Sequence, residues 1–343
     1  MFASPDRGAT AIREPLQRWA AQHCGAAAQI VDVHRMPGHS GISFGFDIVD
    51  GNEMPRERVV LRIPPTGVRI KNSTDVLRLV PLLQAMTAAG IPVPAVRWYG
   101  ADETWFGVPY LMVSRVAGAT LPDVFETATA APPPAATVTA VFRQAVDALA
   151  SIHAVDAHDL TRQGWVTPMS PADDIEMWIP LLRKMDDESL LRQCLELRAR
   201  LLATVPPSPP AGVVHGDFYS NNWMFDDSGL TAVLDWENST LGPRMWDVGW
   251  LVTMYDSECW GPLRTGNMSW TPDPQTMLGW YEQASGRPLE APDWYRALMC
   301  YRLACITPVN LRLHRTGRRV DPVWEVFGEA MPLLFQRARD LLH

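Results

Sequence analysis

The sequence contains only two lysines, Lys71 and Lys184, although 30 of its 343 residues are basic. All the other basic residues are arginines, and acidic residues outnumber basic ones, which gives a formal net charge of −8. A protein that binds nucleic acid through a broad basic face needs an excess of positive charge. We therefore expect no nucleic-acid partner for this chain.

Long apolar runs are also missing, since none approaches the roughly 20 residues that a membrane helix requires. The N-terminal residues lack the apolar core of a signal peptide. The five cysteines are odd in number and show no C-x2-C spacing, which predicts free thiols in a reducing compartment. These features predict a cytoplasmic protein with no membrane partner, and they leave its oligomeric state open.

The composition is that of an ordinary soluble globular protein, with 47% hydrophobic and 20% charged residues. No internal repeat is found along the chain. A length of 343 residues is sufficient for two domains or two lobes. Composition and length alone therefore do not distinguish one class of globular protein from another, and individual motifs have to do so.

The most informative stretch spans residues 211–250, where two short apolar runs each end in a polar cluster. The first cluster is H-G-D, which ends at Asp217, and Asn222 lies five residues further on. The second cluster is D-W-E, which begins at Asp235. Between them, the letters D-D-S-G have the chemistry of a hairpin turn. The pattern predicts a loop followed by a hairpin whose second strand ends at Asp235.

In that geometry the side chains of Asp217, Asn222 and Asp235 are expected to converge. Oxygen ligands of this kind suit a hard cation such as Mg²⁺, which takes few protein ligands and keeps room for phosphate oxygens. One carboxylate then remains to orient a hydroxyl group. Turn formation alone would account for a single H-G-D, but the compound spacing favours a functional site.

The compound pattern resembles the aminoglycoside phosphotransferase and choline kinase-like families, which are relatives of the protein kinases. In protein kinases, H-R-D-x4-N supplies a catalytic aspartate and a metal-binding asparagine, and D-F-G supplies a further metal ligand. The resemblance implies that Asp217 is the catalytic base and that Asn222 and Asp235 hold Mg²⁺. It also implies that His215 is structural and that Asp247 is a buried aspartate that braces the loop.

The resemblance implies an α+β, two-lobed, protein-kinase-like fold. Residues 1–117 would form a nucleotide-binding lobe with a small antiparallel sheet, and residues 118–343 a larger helical lobe with the catalytic loop and the acceptor site. His153, at the end of a helical stripe, is interpreted as a packing or bracing residue. Periodicity predicts strands at 29–36, 42–49, 58–63, 95–99 and 110–116, and helices at 10–24, 74–89, 138–152, 187–203, 275–285, 293–315 and 322–342.

Several residues of the first lobe are expected to bind ATP. The turn G-H-S-G contains Ser40 and Gly41, whose backbone amides can cradle phosphates because glycine permits close approach, although an ordinary hairpin is an equal alternative. Arg62 stands on the third strand, where kinases carry the lysine that grips the phosphates. The alternative is that Arg62 is only a solvated strand residue, and Lys71, beyond the double proline, is a less favoured substitute. By resemblance, the main chain from Ser114 to Val116 is the hinge that hydrogen-bonds the adenine.

Arg62 lacks the partner that the kinase lysine has. Kinases place a pairing glutamate on the helix after the third strand, but no glutamate occurs between Glu57 and Glu103. Asp75 is the only carboxylate of the predicted helix, and it stands at the N-terminal end as a cap would. A catalytically inactive, nucleotide-binding homologue is therefore the alternative. The H-G-D form, the D-W-E ending and the absence of A-P-E disfavour a protein kinase.

The sequence therefore predicts a transfer of the γ-phosphoryl group of ATP to a hydroxyl of a small molecule. A polycationic acceptor needs surplus carboxylates where water is excluded, yet residues 256–343 contain ten acidic residues and ten arginines. We expect an acceptor that is neutral or anionic and partly apolar, such as a hydroxylated acyl thioester, a polyketide or a terpenoid-like alcohol. The resemblance adds weight to acyl thioesters, through related kinase domains attached to acyl-CoA dehydrogenases.

Overall fold

The chain forms two compact units in the computed structural model. The first unit comprises Met1–Gly118 together with Thr231–Asn238, and the second comprises Ala119–Leu230 and Ser239–His343. The segment that carries Asp235 therefore belongs to the first unit, although more than a hundred residues separate it from Gly118 along the chain. The structure describes residues 8–36, 41–50, 55–65, 69–71, 74–125, 133–207, 211–261 and 270–343.

The first unit is built on a five-stranded antiparallel sheet in the order β1-β2-β3-β5-β4. This is the small antiparallel sheet that the sequence predicted, and each strand overlaps its predicted range. The strands are β1 (Gln29–Met36), β2 (Ile42–Val49), β3 (Pro55–Ile63), β4 (Val96–Gly100) and β5 (Tyr110–Ser114).

Strand β3 determines the direction in which Arg62 projects. Val59, Leu61 and Ile63 are fully buried in the core of the unit, where they pack with the apolar stripe of helix α1 (Ala9–His23). Alternate residues of a strand face the same side of the sheet. Arg62 therefore projects from the face opposite to this core.

The helix predicted over residues 74–89 is shorter in the structure. Helix α2 spans Leu79–Ala88, and a separate 3-10 turn at Val76–Arg78 precedes it. Pro81 lies in the first turn of α2, where its missing N–H costs no hydrogen bond because first-turn amides have no intrahelical partner. Asp75 caps the 3-10 turn with its side chain, as its position in the sequence indicated.

The second unit is mainly helical. Helices predicted at 187–203, 275–285, 293–315 and 322–342 are confirmed, with bounds that differ by at most one residue. The helices are α3 (Ala135–Ala154), α4 (His158–Arg162), α5 (Pro171–Met177), α6 (Ile179–Leu182), α7 (Glu188–Ala203), α8 (Met245–Met254), α9 (Ser257–Trp260), α10 (Pro274–Ser285), α11 (Pro292–Arg315) and α12 (Val323–Leu341).

Helix α8 packs tightly against the long helix α11. The contact is made at Gly249, where an added Cβ would lie 3.0 Å from backbone atoms of Tyr295. A larger residue would push the two helices apart, because backbone atoms cannot move aside as a flexible side chain does. The glycine thus fixes α8, and with it Asp247 in the first turn of that helix, against the core of the second unit.

Short strands frame the segment singled out in the sequence. The predicted hairpin turn is present, because the Asp226 side chain accepts a hydrogen bond from the Ser228 amide at 2.8 Å and Gly229 adopts a φ of 115°. β6 pairs antiparallel with β9, and β7 and β8 form a two-stranded sheet. These strands are β6 (Gly212–Val214), β7 (Trp223–Asp226), β8 (Gly229–Val233) and β9 (Thr240–Gly242).

The five cysteines all lie in the described part of the chain and are free thiols, as the sequence predicted. Cys24 is half-buried and the other four are buried. Within the residues that the structure describes, no helix combines the length and the apolar character needed to cross a membrane.

Candidate active site

The polar loop after β6 brings two of the predicted site residues together in the second unit. Strand β6 ends at Val214, and a 3-10 turn at Ser220–Asn222 returns the chain towards Asp217. The Asn222 amide nitrogen, Nδ2, donates to the backbone carbonyl of Asp217 at 2.8 Å and to its carboxylate oxygen Oδ2 at 3.2 Å. Asn222 therefore holds both the main chain and the side chain of Asp217.

This arrangement leaves the Asn222 side chain oriented for a second task. Because the amide nitrogen faces Asp217, the amide oxygen on the other arm points away from it. An amide oxygen is a ligand that Mg²⁺ accepts, together with one or two carboxylates and phosphate oxygens. The donor set expected from the sequence is thus chemically suited to that ion.

A buried carboxylate fixes the backbone of the loop. Asp247, on α8, accepts hydrogen bonds from the amides of His215 and Gly216, both at 2.7 Å. His153, at the end of α3, contacts Asp247 through Nε2 at 3.0 Å and the hydroxyl of Tyr281 through Nδ1 at 2.7 Å. The sequence predicted the bracing roles of Asp247 and His153, and these contacts confirm them.

The charge of Asp247 is maintained despite complete burial. Burial by itself would raise the pKa of this carboxyl, but the hydrogen bond and charge of His153, together with His215 and the Gly216 amide, hold the pKa below its ordinary value. Burial raises the pKa of the Tyr281 hydroxyl, which therefore stays protonated and can donate to His153 Nδ1. His153 Nε2 donates to Asp247, because a carboxylate oxygen can only accept.

The D-W-E segment, which lies in the first unit, contains the third predicted site residue. Asp235 has a φ of 60°, in the left-handed region that aspartate tolerates better than most residues. Trp236 follows it, is buried, and donates from Nε1 to the Val233 carbonyl at 2.9 Å. The tryptophan thereby anchors the segment that carries Asp235.

Arg62 finds its partner in this same segment. Its Nη2 atom lies 2.8 Å from Glu237 Oε2 and 3.8 Å from Asp235 Oδ1. Glu237 is buried, with 6% of its side chain exposed, whereas 38% of Asp235 is exposed. The structure therefore supplies the carboxylate that the sequence of the following helix lacks.

Glu237 is a residue that the sequence analysis did not select for the site. Its backbone carbonyl accepts a hydrogen bond from Arg78 Nη2 at 2.6 Å. Burial lowers the pKa of Arg78, while Asp75 and Glu237 act in the opposite direction. A sequence signal existed, because Glu237 stands two residues after Asp235 in the D-W-E cluster. Nothing in the sequence, however, pairs this glutamate with Arg62.

The remaining predicted nucleotide contacts lie at two places in the first unit. Ser40 falls outside the described residues, and a Cβ added at Gly41 would meet the Ile63 carbonyl oxygen at an ordinary distance of 3.6 Å. At the predicted hinge, the Ser114 amide donates to the Ala95 carbonyl at 2.9 Å. That amide is thus already used, and any main-chain contact of Ser114 with an adenine is limited to its carbonyl.

Comparison with known proteins shows the family. Residues 36–280 match the model of the Phosphotransferase enzyme family. The chain belongs to that family. Membership supports a kinase-type enzyme that transfers a phosphoryl group to a small molecule.

Solved structures of phosphotransferases share the fold. A candidate aminoglycoside phosphotransferase from Ralstonia eutropha JMP134 is 24% identical with a TM-score of 0.73, and the match covers 95% of this chain and 98% of that one. A mutant of aminoglycoside phosphotransferase APH(4)-Ia, in a ternary complex with AMP-PNP and hygromycin B, is 16% identical with a TM-score of 0.57 over 95% and 97% of the two chains. The fold is therefore kinase-like α+β, as the sequence predicted.

The curated relatives are much longer proteins. Acyl-CoA dehydrogenase family member 11 from Gallus gallus is 28% identical over 207 residues, which is 57% of this chain and 25% of that protein. The chain spans about a third or less of the length of the curated relatives that it matches. Their names thus describe proteins of which this chain resembles one part.

The brace at Asp247 leads to a stability prediction. We expect Asp247→Asn to lower the free energy of unfolding at pH 7 by about 3 kcal/mol, because an amide cannot replace a buried carboxylate that is paired and hydrogen-bonded. Because the pKa of Asp247 is lower in the folded state, its ionisation stabilises the fold above pH about 4, and this contribution is lost as the pH falls further.

Urea unfolding at a series of pH values measures both effects. The matched control is Asp227→Asn, which changes an exposed carboxylate in the hairpin turn and should leave stability almost unchanged. The difference in unfolding free energy between wild type and Asp247→Asn should become smaller below pH about 4. Protonation of Asp247 removes the stabilisation that its lowered pKa provides. A difference in unfolding free energy that stays constant across the acid range would contradict the prediction. An equal loss of stability in the Asp227→Asn control would contradict it as well.

Proposed function

We propose that the chain transfers the γ-phosphoryl group of ATP to a hydroxyl group of a small molecule, with Asp217 as the catalytic base. The observation that carries this proposal is the double hydrogen bond from Asn222 to the carbonyl and carboxylate of Asp217. Phosphoryl transfer depends on positioning more than on covalent chemistry. A carboxylate fixed from two sides can orient the acceptor hydroxyl and take its proton as the oxygen attacks phosphorus.

We propose Asn222 and Asp235 as the ligands of Mg²⁺. The Asn222 amide oxygen, which is directed away from Asp217, and the partly exposed Asp235 carboxylate are each a type of ligand that this ion accepts. When bound, the ion would neutralise charge on the phosphate oxygens. Asp235 is suited to the task because its left-handed backbone presents the carboxylate next to, but not in close contact with, Arg62.

For the nucleotide, we propose Arg62 as the phosphate-binding cation, with the backbone of Ser40 and Gly41 near the phosphates. The Ser114 carbonyl and the main chain of Val116 would then hold the adenine. Arginine suits the first role, since its planar fork provides more donors than lysine and keeps its charge at any physiological pH.

The alternative of an inactive, nucleotide-binding homologue rested on the missing helix glutamate and on the arginine that replaces the kinase lysine. Arg62 is nonetheless paired with a buried carboxylate at 2.8 Å, which removes the main reason for that alternative. Slow hydrolysis of ATP without any acceptor, abolished by Asp217→Ala, would argue further against an inactive protein.

We also propose an acceptor that is neutral or anionic and partly apolar. In the second unit, several acidic side chains of residues 256–343 are already matched by arginines. Asp256 contacts both Arg296 and Arg337, at 2.6 and 2.8 Å, and Glu325 contacts Arg315 at 2.6 Å. Carboxylates that are paired in this way are not in surplus for the ammonium groups of an aminoglycoside.

The curated relatives favour one class of acceptor within these limits. They are named as acyl-CoA dehydrogenases, and this chain matches about a third or less of their length. A hydroxylated acyl thioester of coenzyme A is anionic at the phosphates of its carrier and apolar along its acyl chain, which is the character expected from the charge balance. The five free thiols support a reducing cytoplasm as the setting.

The first prediction from this proposal concerns the base. Asp217→Asn should lower turnover of the acceptor by about 100-fold or more, the usual scale for loss of a general base, and leave nucleotide affinity nearly intact. Steady-state kinetics and calorimetric titration of ATP measure the two quantities. Asp226→Asn, in the exposed hairpin turn, is the control. Near-normal turnover in the Asp217 variant would remove this residue from the mechanism.

A second prediction concerns the metal ligand. Asp235→Ala should weaken binding of Mg-ATP by about tenfold or more, the loss seen when a metal site loses an interaction that it needs, and metal-free ATP should bind almost as before. Asp227→Ala is the control, because it removes an exposed carboxylate of the hairpin turn that lies outside the proposed site. Equal weakening with and without Mg²⁺ would assign Asp235 a structural role instead.

A third prediction tests the acceptor class. The purified chain should phosphorylate hydroxylated acyl thioesters, or other partly apolar alcohols, far better than polyamine sugars. Consumption of ATP in the presence of each compound, with Asp217→Asn as the blank, measures this. Efficient phosphorylation of kanamycin would overturn the proposed acceptor class and leave the proposed phosphoryl transfer intact.

A further inference from the structure

A phosphate-binding cation must be held in place before the nucleotide arrives. A long side chain such as arginine loses rotamer entropy when it becomes ordered, so a pre-ordered arginine binds phosphate more tightly. In this chain helix α2, which spans Leu79–Ala88, contains no acidic residue that could order Arg62. Some other carboxylate has to supply this function.

The structure places that carboxylate at Glu237. Its Oε2 atom accepts from Arg62 Nη2 at 2.8 Å, and the pair joins residues 175 positions apart in the sequence. The side chain of Glu237 is 6% exposed and that of Arg62 is 21% exposed. A charge buried to this extent requires an opposite charge beside it, so the two side chains constrain each other.

Glu237 is itself held by two independent contacts of its segment. The Arg78 guanidinium donates to its backbone carbonyl at 2.6 Å, and the neighbouring Trp236 is buried and bonded to the Val233 carbonyl. The carboxylate therefore stands on a fixed backbone. A fixed acceptor orders its donor, which is the requirement for a positioning residue.

The position of Asp235 shows what Glu237 prevents. Asp235 Oδ1 lies 3.8 Å from the same Nη2 atom that Glu237 holds at 2.8 Å. Without Glu237, Asp235 is the nearest carboxylate to the guanidinium, and Coulomb attraction would draw the arginine onto it. The proposed metal ligand would then be neutralised by a protein side chain.

We propose that Glu237 is the positioning residue of Arg62: it orients the guanidinium for the nucleotide phosphates and keeps it away from Asp235. The proposal rests on the proposed function, because it assumes that Arg62 binds those phosphates. It assigns to the D-W-E segment two tasks, metal binding at its first residue and orientation of the phosphate-binding arginine at its third. In kinases the carboxylate that pairs with the phosphate-binding cation lies on a helix. In this chain it would lie on the segment that contains the proposed metal ligand Asp235.

A double-mutant cycle tests the assignment. Wild type, Glu237→Gln, Arg62→Ala and the double variant are titrated with Mg-ATP, and adenosine serves as a ligand without phosphates. We expect Glu237→Gln to weaken Mg-ATP by about tenfold, within the coupling found for contacting residues, with adenosine affected less than twofold. In the Arg62→Ala background the same change should have almost no further effect, since the residue acts through Arg62.

Glu57→Gln is the matched control, because Glu57 pairs with Arg97 at 2.6 Å on the same sheet and lies outside the proposed machinery. Its affinity for both ligands should equal that of wild type. Glu237→Asp retains the charge on a shorter side chain and should show an intermediate loss. Thermal unfolding of every variant separates loss of the fold from loss of positioning, because an unfolded variant loses adenosine binding as well.

Three results would overturn the inference. The first is a Glu237→Gln variant that binds Mg-ATP as well as wild type, or better. The second is a loss that persists in the Arg62→Ala background and requires Mg²⁺, since this would make Glu237 a metal ligand. The third is an equal loss for adenosine and Mg-ATP, which would indicate a merely structural role. A wild-type chain that binds no ATP would instead overturn the proposed function, and the inference with it.

Discussion

The geometry of the H-G-D loop depends on one buried carboxylate that accepts two adjacent backbone amides. A loop without secondary structure must find partners for its amides, and Asp247 supplies them to His215 and Gly216 from the first turn of α8. Its charge survives burial because His153 and the loop amides compensate the loss of water. Gly249 then sets α8 against α11, so that the position of the loop follows from helix packing in the second unit.

Those parts of the molecule that are encoded by neighbouring residues were predictable from the sequence. Strand β3 is an example, because Val59, Leu61 and Ile63 occupy alternate positions and are buried, so that Arg62 projects from the opposite face. The turn at residues 226–229 is a second example, since the four residues of the turn themselves favour its conformation. The contact between Asp217 and Asn222 belongs to the same class, because their spacing of five residues fits a single 3-10 turn.

The features that could not be predicted from the sequence are contacts between distant parts of the chain and places where local conformational preferences compete. Arg62 and Glu237 are separated by 175 residues, and no periodicity reaches that far. Residues 231–238 join the first unit, a placement that depends on tertiary contacts such as the hydrogen bond from Val233 N to the Pro92 carbonyl. The helix predicted from residue 74 begins at Leu79 instead, because Asp75 stabilises a separate 3-10 turn and proline favours the first turn of a helix.

The pairing with Glu237 also gives a physical reason for an arginine at the position where protein kinases have lysine. A lysine carries its three donors on a single atom, so its contacts with a carboxylate and with a phosphate must converge on one small ammonium group. A guanidinium separates its donors over three nitrogens, and Nη2 can remain on Glu237 while Nε and Nη1 face other groups. Arg62 and Glu237 are in this sense one feature, because the arginine at this position suits the glutamate that pairs with it. A partner fixed two residues from Asp235 requires no helix movement to assemble it, which favours a site that is formed before substrate binds.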